Sequence, residues 1–216
     1  MPKSPASTIR PGKFEIFCGP MNSGKTLELL HRVERLNFLP DCSFNFFKPS
    51  TDTRDPIIRS RWGNDRTYEC TFINPALPES ILSLCEGLDL VVIDEAQFFS
   101  ERIVEVVLNL LRKNINVIAA GLDLDFRGEP FGSMHKLMSI ATDIHKLSGI
   151  CQFQGCGKDA TRTQRLVDGL PASYDSPIIL VGDKKEGYEC RCLAHHDVPG
   201  HPQKKLFNYP ISAENH

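Results

Sequence analysis

Gly19-Pro20-Met21-Asn22-Ser23-Gly24-Lys25-Thr26 is a complete G-x-x-x-x-G-K-[ST] phosphate loop. Glycine at 19 and 24 permits backbone torsions that side chains forbid, so successive N–H groups can converge on phosphate oxygens. Lys25 is then placed for the β and γ phosphates, and the Thr26 hydroxyl for Mg²⁺. A second group, Val91-Val92-Ile93-Asp94-Glu95, is an apolar strand ending in two carboxylates. Asp94 there suits Mg²⁺, directly or through water, which leaves Glu95 free to act as a base toward an attacking hydroxyl or water. A third group pairs Cys151-x4-Cys156 with Cys192-x2-His195, about 35 residues later. Two such hairpins are the ligand pattern of structural zinc, which four protein ligands close to solvent. Cys190 and His196 compete for the second pair, and the x2 spacing favours Cys192 and His195.

These residues need elements to hold them. Phe14–Cys18 reads as a strand into the phosphate loop, and Leu27–Val33 as the helix after it. Residues 43–47 read as a second strand ended by Lys48-Pro49, residues 51–70 as a long polar surface excursion, and residues 78–84 as a short helix. Leu90–Ile93 is a β-branched run of the kind that forms a central parallel strand, residues 101–112 have helical spacing, and residues 115–120 form another buried strand. Strand alternating with helix implies a parallel α/β sheet with right-handed crossovers. Gly121-Leu122-Asp123 follows a strand's carboxyl end, so Phe126 and Phe131 read as a pocket wall facing the loop. Arg54, in the polar excursion, can neutralise phosphate charge, whereas His31, His135 and His145 read as structural or surface residues. From residue 148 the chain is cysteine-bearing and short of helical periodicity, with strand candidates at 162–167 and 177–181.

Composition narrows the class. With 216 residues, 41% hydrophobic and 24% charged, the chain suits one medium domain with a small appendage. A net charge of -2 speaks against a dedicated nucleic-acid binder, and no stretch has the apolar length of a membrane span. Cys18, Cys42, Cys70 and Cys85 read as reduced core thiols, and the compartment expected is the cytoplasm. The expected organisation is a mobile leader over 1–12, a P-loop ATP-binding α/β domain over 13–147, a zinc-binding unit over 148–197 and a flexible tail over 198–216.

From about residue 13 to residue 196 the chain resembles the thymidine kinases of the small, zinc-containing type. The resemblance is carried by the phosphate loop, Asp52-Thr53-Arg54, Asp94-Glu95-Ala96-Gln97-Phe98-Phe99, Gly121-Leu122-Asp123, Phe126 and Pro130-Phe131-Gly132. It continues through Cys156, Thr163-x-Arg165, Val181-Gly182, and Tyr188 ahead of Cys192 and His195. It implies a RecA-like P-loop domain with a central parallel sheet and a small β-rich zinc-binding lasso domain. It further implies transfer of the ATP γ-phosphoryl group to the 5′-hydroxyl of thymidine. On this likeness Glu95 is the catalytic base; residues 19–26, Arg54, Asp94 and Gln97 serve ATP, phosphate and Mg²⁺; and Met21, Leu122, Phe126, Phe131, Thr163, Val181 and Tyr188 form the thymine pocket. Residues 174–188 match a lasso that closes over the base, its ends anchored by zinc. A homotetramer inhibited by dTTP is implied too, with neither membrane nor nucleic acid as partner. The x4 gap between Cys151 and Cys156, and His195 in place of the commoner cysteine, depart from the family pattern. The competing reading is a RecA-like zinc-containing ATPase acting on nucleic acid, which predicts a basic, aromatic-bearing surface.

Overall fold

The computed structural model describes residues 12–38, 42–51, 57–59, 67–179 and 186–202. Among them, the larger sheet is built from β1 (Phe14–Cys18), β2 (Phe44–Pro49), β3 (Ile57–Arg59), β4 (Thr67–Ile73), β5 (Leu90–Ile93), β6 (Asn116–Gly121) and β7 (Asp143–Lys146). Its order is β3-β4-β2-β5-β6-β1-β7, with six strands parallel and only β3 antiparallel, at the edge. The order places β5 and β6 between β2 and β1, so the carboxyl ends of four strands converge where the phosphate loop leaves β1.

Side-chain alternation along these strands builds two cores. Phe14, Ile16 and Cys18 of β1 join Phe47, Val91, Ile93, Val117 and Ala119 on one face. Helix α2 (Ile103–Arg112) covers that face through Val106, Val107 and Leu110, and α3 (Met134–Ile140) through Met134 and Leu137. Phe17, Phe46, Leu90, Val92, Ile118 and Ala120 point the other way, onto Leu29, Leu30 and Val33 of α1 (Lys25–Glu34). Burial on both sides explains why β5 is continuously apolar.

Several expectations needed correction. Residues 67–70 belong to β4 rather than to a surface excursion, because Phe46↔Cys70 pairing extends the parallel ladder outward from β2. Residues 78–84 form a 3-10 turn, and α3 and β7 arise where no element was expected. His145, on β7, stacks on Phe17 with ring centroids 4.7 Å apart. Cys18 and Cys85 are buried, and burial pushes both thiols up to about 11, so they stay neutral. Cys42 and Cys70 are only half-buried.

After residue 148, β8 (Gly149–Ile150) pairs with β9 (Asp159–Ala160), and β10 (Arg162–Val167) lies between β11 (Leu170–Pro171) and β12 (Glu186–Arg191). The expected strand at 177–181 is not one over 177–179, and 180–181 lie outside the described residues. The partner of β10 is β12, whose Glu/Gly/Glu/Arg-rich sequence carries no apolar alternation to announce it.

Glu15 of β1 is a buried carboxylate held by Arg32 through two hydrogen bonds of 2.8 and 2.6 Å and by Lys13 at 2.8 Å. Burial pushes its carboxyl up, but Arg32 and Lys13 outweigh that and hold it at about 2, against an ordinary 4.5. A carboxyl lowered on folding adds stability that is complete above the ordinary value and lost as pH falls from 4.5 toward 2. Glu15→Gln should therefore cost about 1–3 kcal/mol at pH 7 and flatten the acid limb of a stability profile measured by denaturant titration. An unchanged acid slope in that variant would refute the assignment.

Candidate active site and metal centre

The phosphate loop takes its shape from three left-handed residues. Gly19 (φ 145°) could not carry a Cβ, which would collide with the Leu147 carbonyl, while Asn22 (φ 59°) and Gly24 (φ 83°) turn the chain into α1. Gly24 is the N-cap and supplies no side-chain bond, so the first amides of α1 face outward for an anion. Ser23 Oγ and Lys25 Nζ donate to the Pro20 carbonyl at 2.8 and 2.6 Å. Burial pushes the Lys25 ammonium down, against the opposing pull of Glu95, Asp94 and Asp123. Those three carboxylates follow the ends of β5 and β6.

Asp94 and Glu95 leave β5 together but in different settings. Asp94 is buried, its amide donating to Phe47 O at 3.0 Å and its Oδ2 lying 3.6 Å from Lys48 Nζ. Lys48 had no assigned role; β2 pairing places it there, since Phe47↔Ile93 leaves the next residues of both strands side by side. Glu95 has φ 54°, a left-handed conformation that a non-glycine residue seldom adopts and that is common at functional sites. Gln97 Nε2 donates to Glu95 Oε2 at 2.5 Å, while Gln97 Oε1 accepts from the Leu122 amide at 3.0 Å. Gln97 is thus a buried brace between the two strand ends, turned to the carboxylate. Gly121 leaves room for it, because a Cβ there would stand 2.7 Å from Gln97 Oε1.

Past β6, Leu122 and Phe126 are buried and Phe131 meets Phe98 edge-on at 5.5 Å. The Arg165 guanidinium lies over the Phe126 ring at 5.3 Å, and Arg127 lies between Phe126 and Tyr174. Thr163, on β10, is buried and accepts a 3.0 Å hydrogen bond from the Met21 amide, which brings the β-rich unit onto the phosphate loop. Tyr188 pairs with Arg165 across the β10–β12 ladder. Arg54 and Val181 lie outside the described residues, as do 180–185 of the 174–188 segment.

Cys151, Cys156, Cys192 and His195 come together with all ligand atoms within 4.8 Å of one another. Cys156 and Cys192 sulfurs are 3.9 Å apart, and His195 Nδ1 stands 3.4 Å from Cys192 Sγ and 3.6 Å from Cys151 Sγ. Tetrahedral zinc with ordinary bond lengths needs about 3.8 Å between sulfurs and about 3.6 Å from sulfur to nitrogen, so the donor set fits. The x4 gap closes because the Cys156 amide turns back to Phe153 O at 3.0 Å. The competitors are engaged elsewhere: Cys190 donates to Met21 O, and His196 Nε2 lies 2.9 Å from Phe126 O.

Among known proteins, the family model described as thymidine kinase matches residues 12–196. The chain belongs to the thymidine kinase family. A thymidine kinase of Mycoplasmoides gallisepticum is 45% identical over 204 residues, covering 94% of this chain and 88% of the relative. A thymidine kinase of Coprothermobacter proteolyticus is 44% identical over 189 residues, covering 88% and 92% respectively. Within this thymidine kinase family chain, the matched span contains both the carboxylate pair and the Cys₃His cluster. Among its described residues no helix is long and apolar enough to cross a membrane.

Proposed function

We propose that this chain transfers the γ-phosphoryl group of ATP to the 5′-hydroxyl of thymidine, giving dTMP and ADP. The observation that carries the reading is Glu95, braced by Gln97 beside the Asp94 carboxylate and Lys25, in a chain of the thymidine kinase family. In this reading residues 19–26, with Arg54, hold the phosphates, and Thr26 and Asp94 hold Mg²⁺, which neutralises charge on the transferring group. Glu95 accepts the proton of the 5′-hydroxyl, and Gln97 keeps its carboxylate in place. Met21, Leu122, Phe126, Phe131, Thr163, Val181 and Tyr188 enclose the thymine, and the 174–188 segment excludes water that would hydrolyse ATP. Cys151, Cys156, Cys192 and His195 hold zinc in a closed structural site.

The proposed division is a P-loop domain over 13–147 and a zinc-binding lasso domain over 148–197, flanked by a leader over 1–12 and a tail over 198–216. A cytoplasmic homotetramer inhibited by dTTP completes the reading. No observation favours the nucleic-acid ATPase, and the net charge of -2 opposes it. A nucleoside panel with γ-labelled ATP tests the assignment. Label should pass to thymidine ahead of deoxycytidine and the purine nucleosides. Deoxyuridine should trail thymidine by about 10- to 200-fold, because one methyl group in an apolar pocket is worth about 1–3 kcal/mol. Release of free phosphate without a labelled nucleoside would overturn the assignment.

A further inference from the structure

The Met21 backbone lies within the phosphate loop and is held on both sides of its Cα. Its N–H donates to Thr163 Oγ1, and its C=O accepts from the Cys190 thiol. Thr163 and Cys190 are directly paired across β10 and β12, so one cross-strand pair grips the two peptide groups that flank the Met21 Cα. Both side chains are almost completely buried, at 2% and 1% exposure. The Cys190 sulfur packs closely on Gly149, where a Cβ would stand 2.5 Å from it. The Cys190 backbone is fixed as well: its amide donates to Gln152 Oε1 at 2.7 Å and its carbonyl accepts from the Gln152 amide at 2.9 Å. Gln152 follows Cys151 in the Cys₃His cluster.

We propose that Cys190 is a positioning residue of the nucleotide site, its thiol acting with the Thr163 hydroxyl to clamp the backbone of Met21 on both sides of its Cα and so hold the phosphate loop in its anion-binding shape. The inference rests on the reading that residues 19–26 bind ATP. A loop whose amides are already aimed loses less freedom when phosphate binds, so the clamp acts through preorganisation. It also ties the loop to the metal cluster through Gln152, a contiguous path of hydrogen bonds. Cys190 packs among the ligand cysteines but is not one of the four grouped ligands.

The test is ADP affinity by calorimetry for the parent, Cys190→Ala, Cys190→Val and Cys190→Ser, each full length and zinc-loaded. Removing the donor should raise the ADP Kd about three- to tenfold, the effect of one lost neutral hydrogen bond, in both Ala and Val variants. Cys190→Ser keeps an O–H donor and should stay within about twofold of the parent. KM for ATP should follow the same order with kcat little changed, the pattern of lost uniform binding. Unchanged ADP affinity in whichever of the Ala and Val variants folds would overturn the clamp, as would equal weakening in Ser and Ala. Thymidine phosphorylation by the parent separates the two readings: its absence with ADP binding intact refutes the kinase assignment, while the Kd series still decides the clamp.

Discussion

Glu95→Gln should lower thymidine turnover by about 10²-fold or more, the usual contribution of a positioned general base. The substitution preserves shape, and the new amide can turn its oxygen to accept from Gln97 Nε2 while Gln97 Oε1 stays on the Leu122 amide, so the loop at 94–98 keeps its hydrogen bonds. The groups proposed to bind phosphate lie elsewhere, on residues 19–26, Arg54 and Asp94, and ATP affinity should stay within about twofold because binding common to ground and transition states is untouched. Pre-steady-state phosphorylation of thymidine, read beside ADP binding, checks both halves. Near-normal turnover would remove Glu95 as the base. Turnover lost together with nucleotide affinity would mean that the left-handed turn at Glu95, φ 54°, had been disturbed instead.

Loss of the metal centre has the second largest expected effect. Four ligand atoms within 4.8 Å comprise three thiols and an imidazole, and a bound ion would tie the two ligand pairs together. Cys192→Ser should abolish stoichiometric zinc by elemental analysis, lower the midpoint of thermal unfolding and reduce thymidine phosphorylation by about tenfold or more. The activity effect is indirect: β12 carries Cys190 and runs directly into Cys192, and β10 carries Thr163, so a loosened sheet releases the Met21 backbone and the segment proposed to close over the nucleoside. A strong chelator should reproduce the melting shift in the parent and leave the Cys192→Ser variant unaffected. A parent that contains no zinc and melts identically in chelator would reject the site.

The phosphate loop, the Asp94-Glu95 pair and the Cys/His spacing were legible because each is local. A loop's torsions, a strand's carboxyl end and a metal hairpin depend on residues adjacent in the chain, so residue type at fixed offset carries the information. The parallel α/β class was legible for a related reason, since β5 and β6 are buried on both faces and therefore continuously apolar. The polar strands were not legible. β4 and β12 are specified by the ladders they join rather than by their own hydrophobic pattern, and α3 is only seven residues long.

What the linear sequence determined by itself was which groups are present: a phosphate cradle, a carboxylate pair and four soft metal ligands. Tertiary structure decided which of them meet. Strand order set Lys48 beside Asp94, and the close approach permitted by Gly121 let Gln97 brace Glu95. Pairing of β10 with β12 set the Cys190 thiol against Met21, 169 positions earlier in the chain. Contacts at that separation depend on sheet register and close packing. Neither is encoded at fixed spacing along the chain.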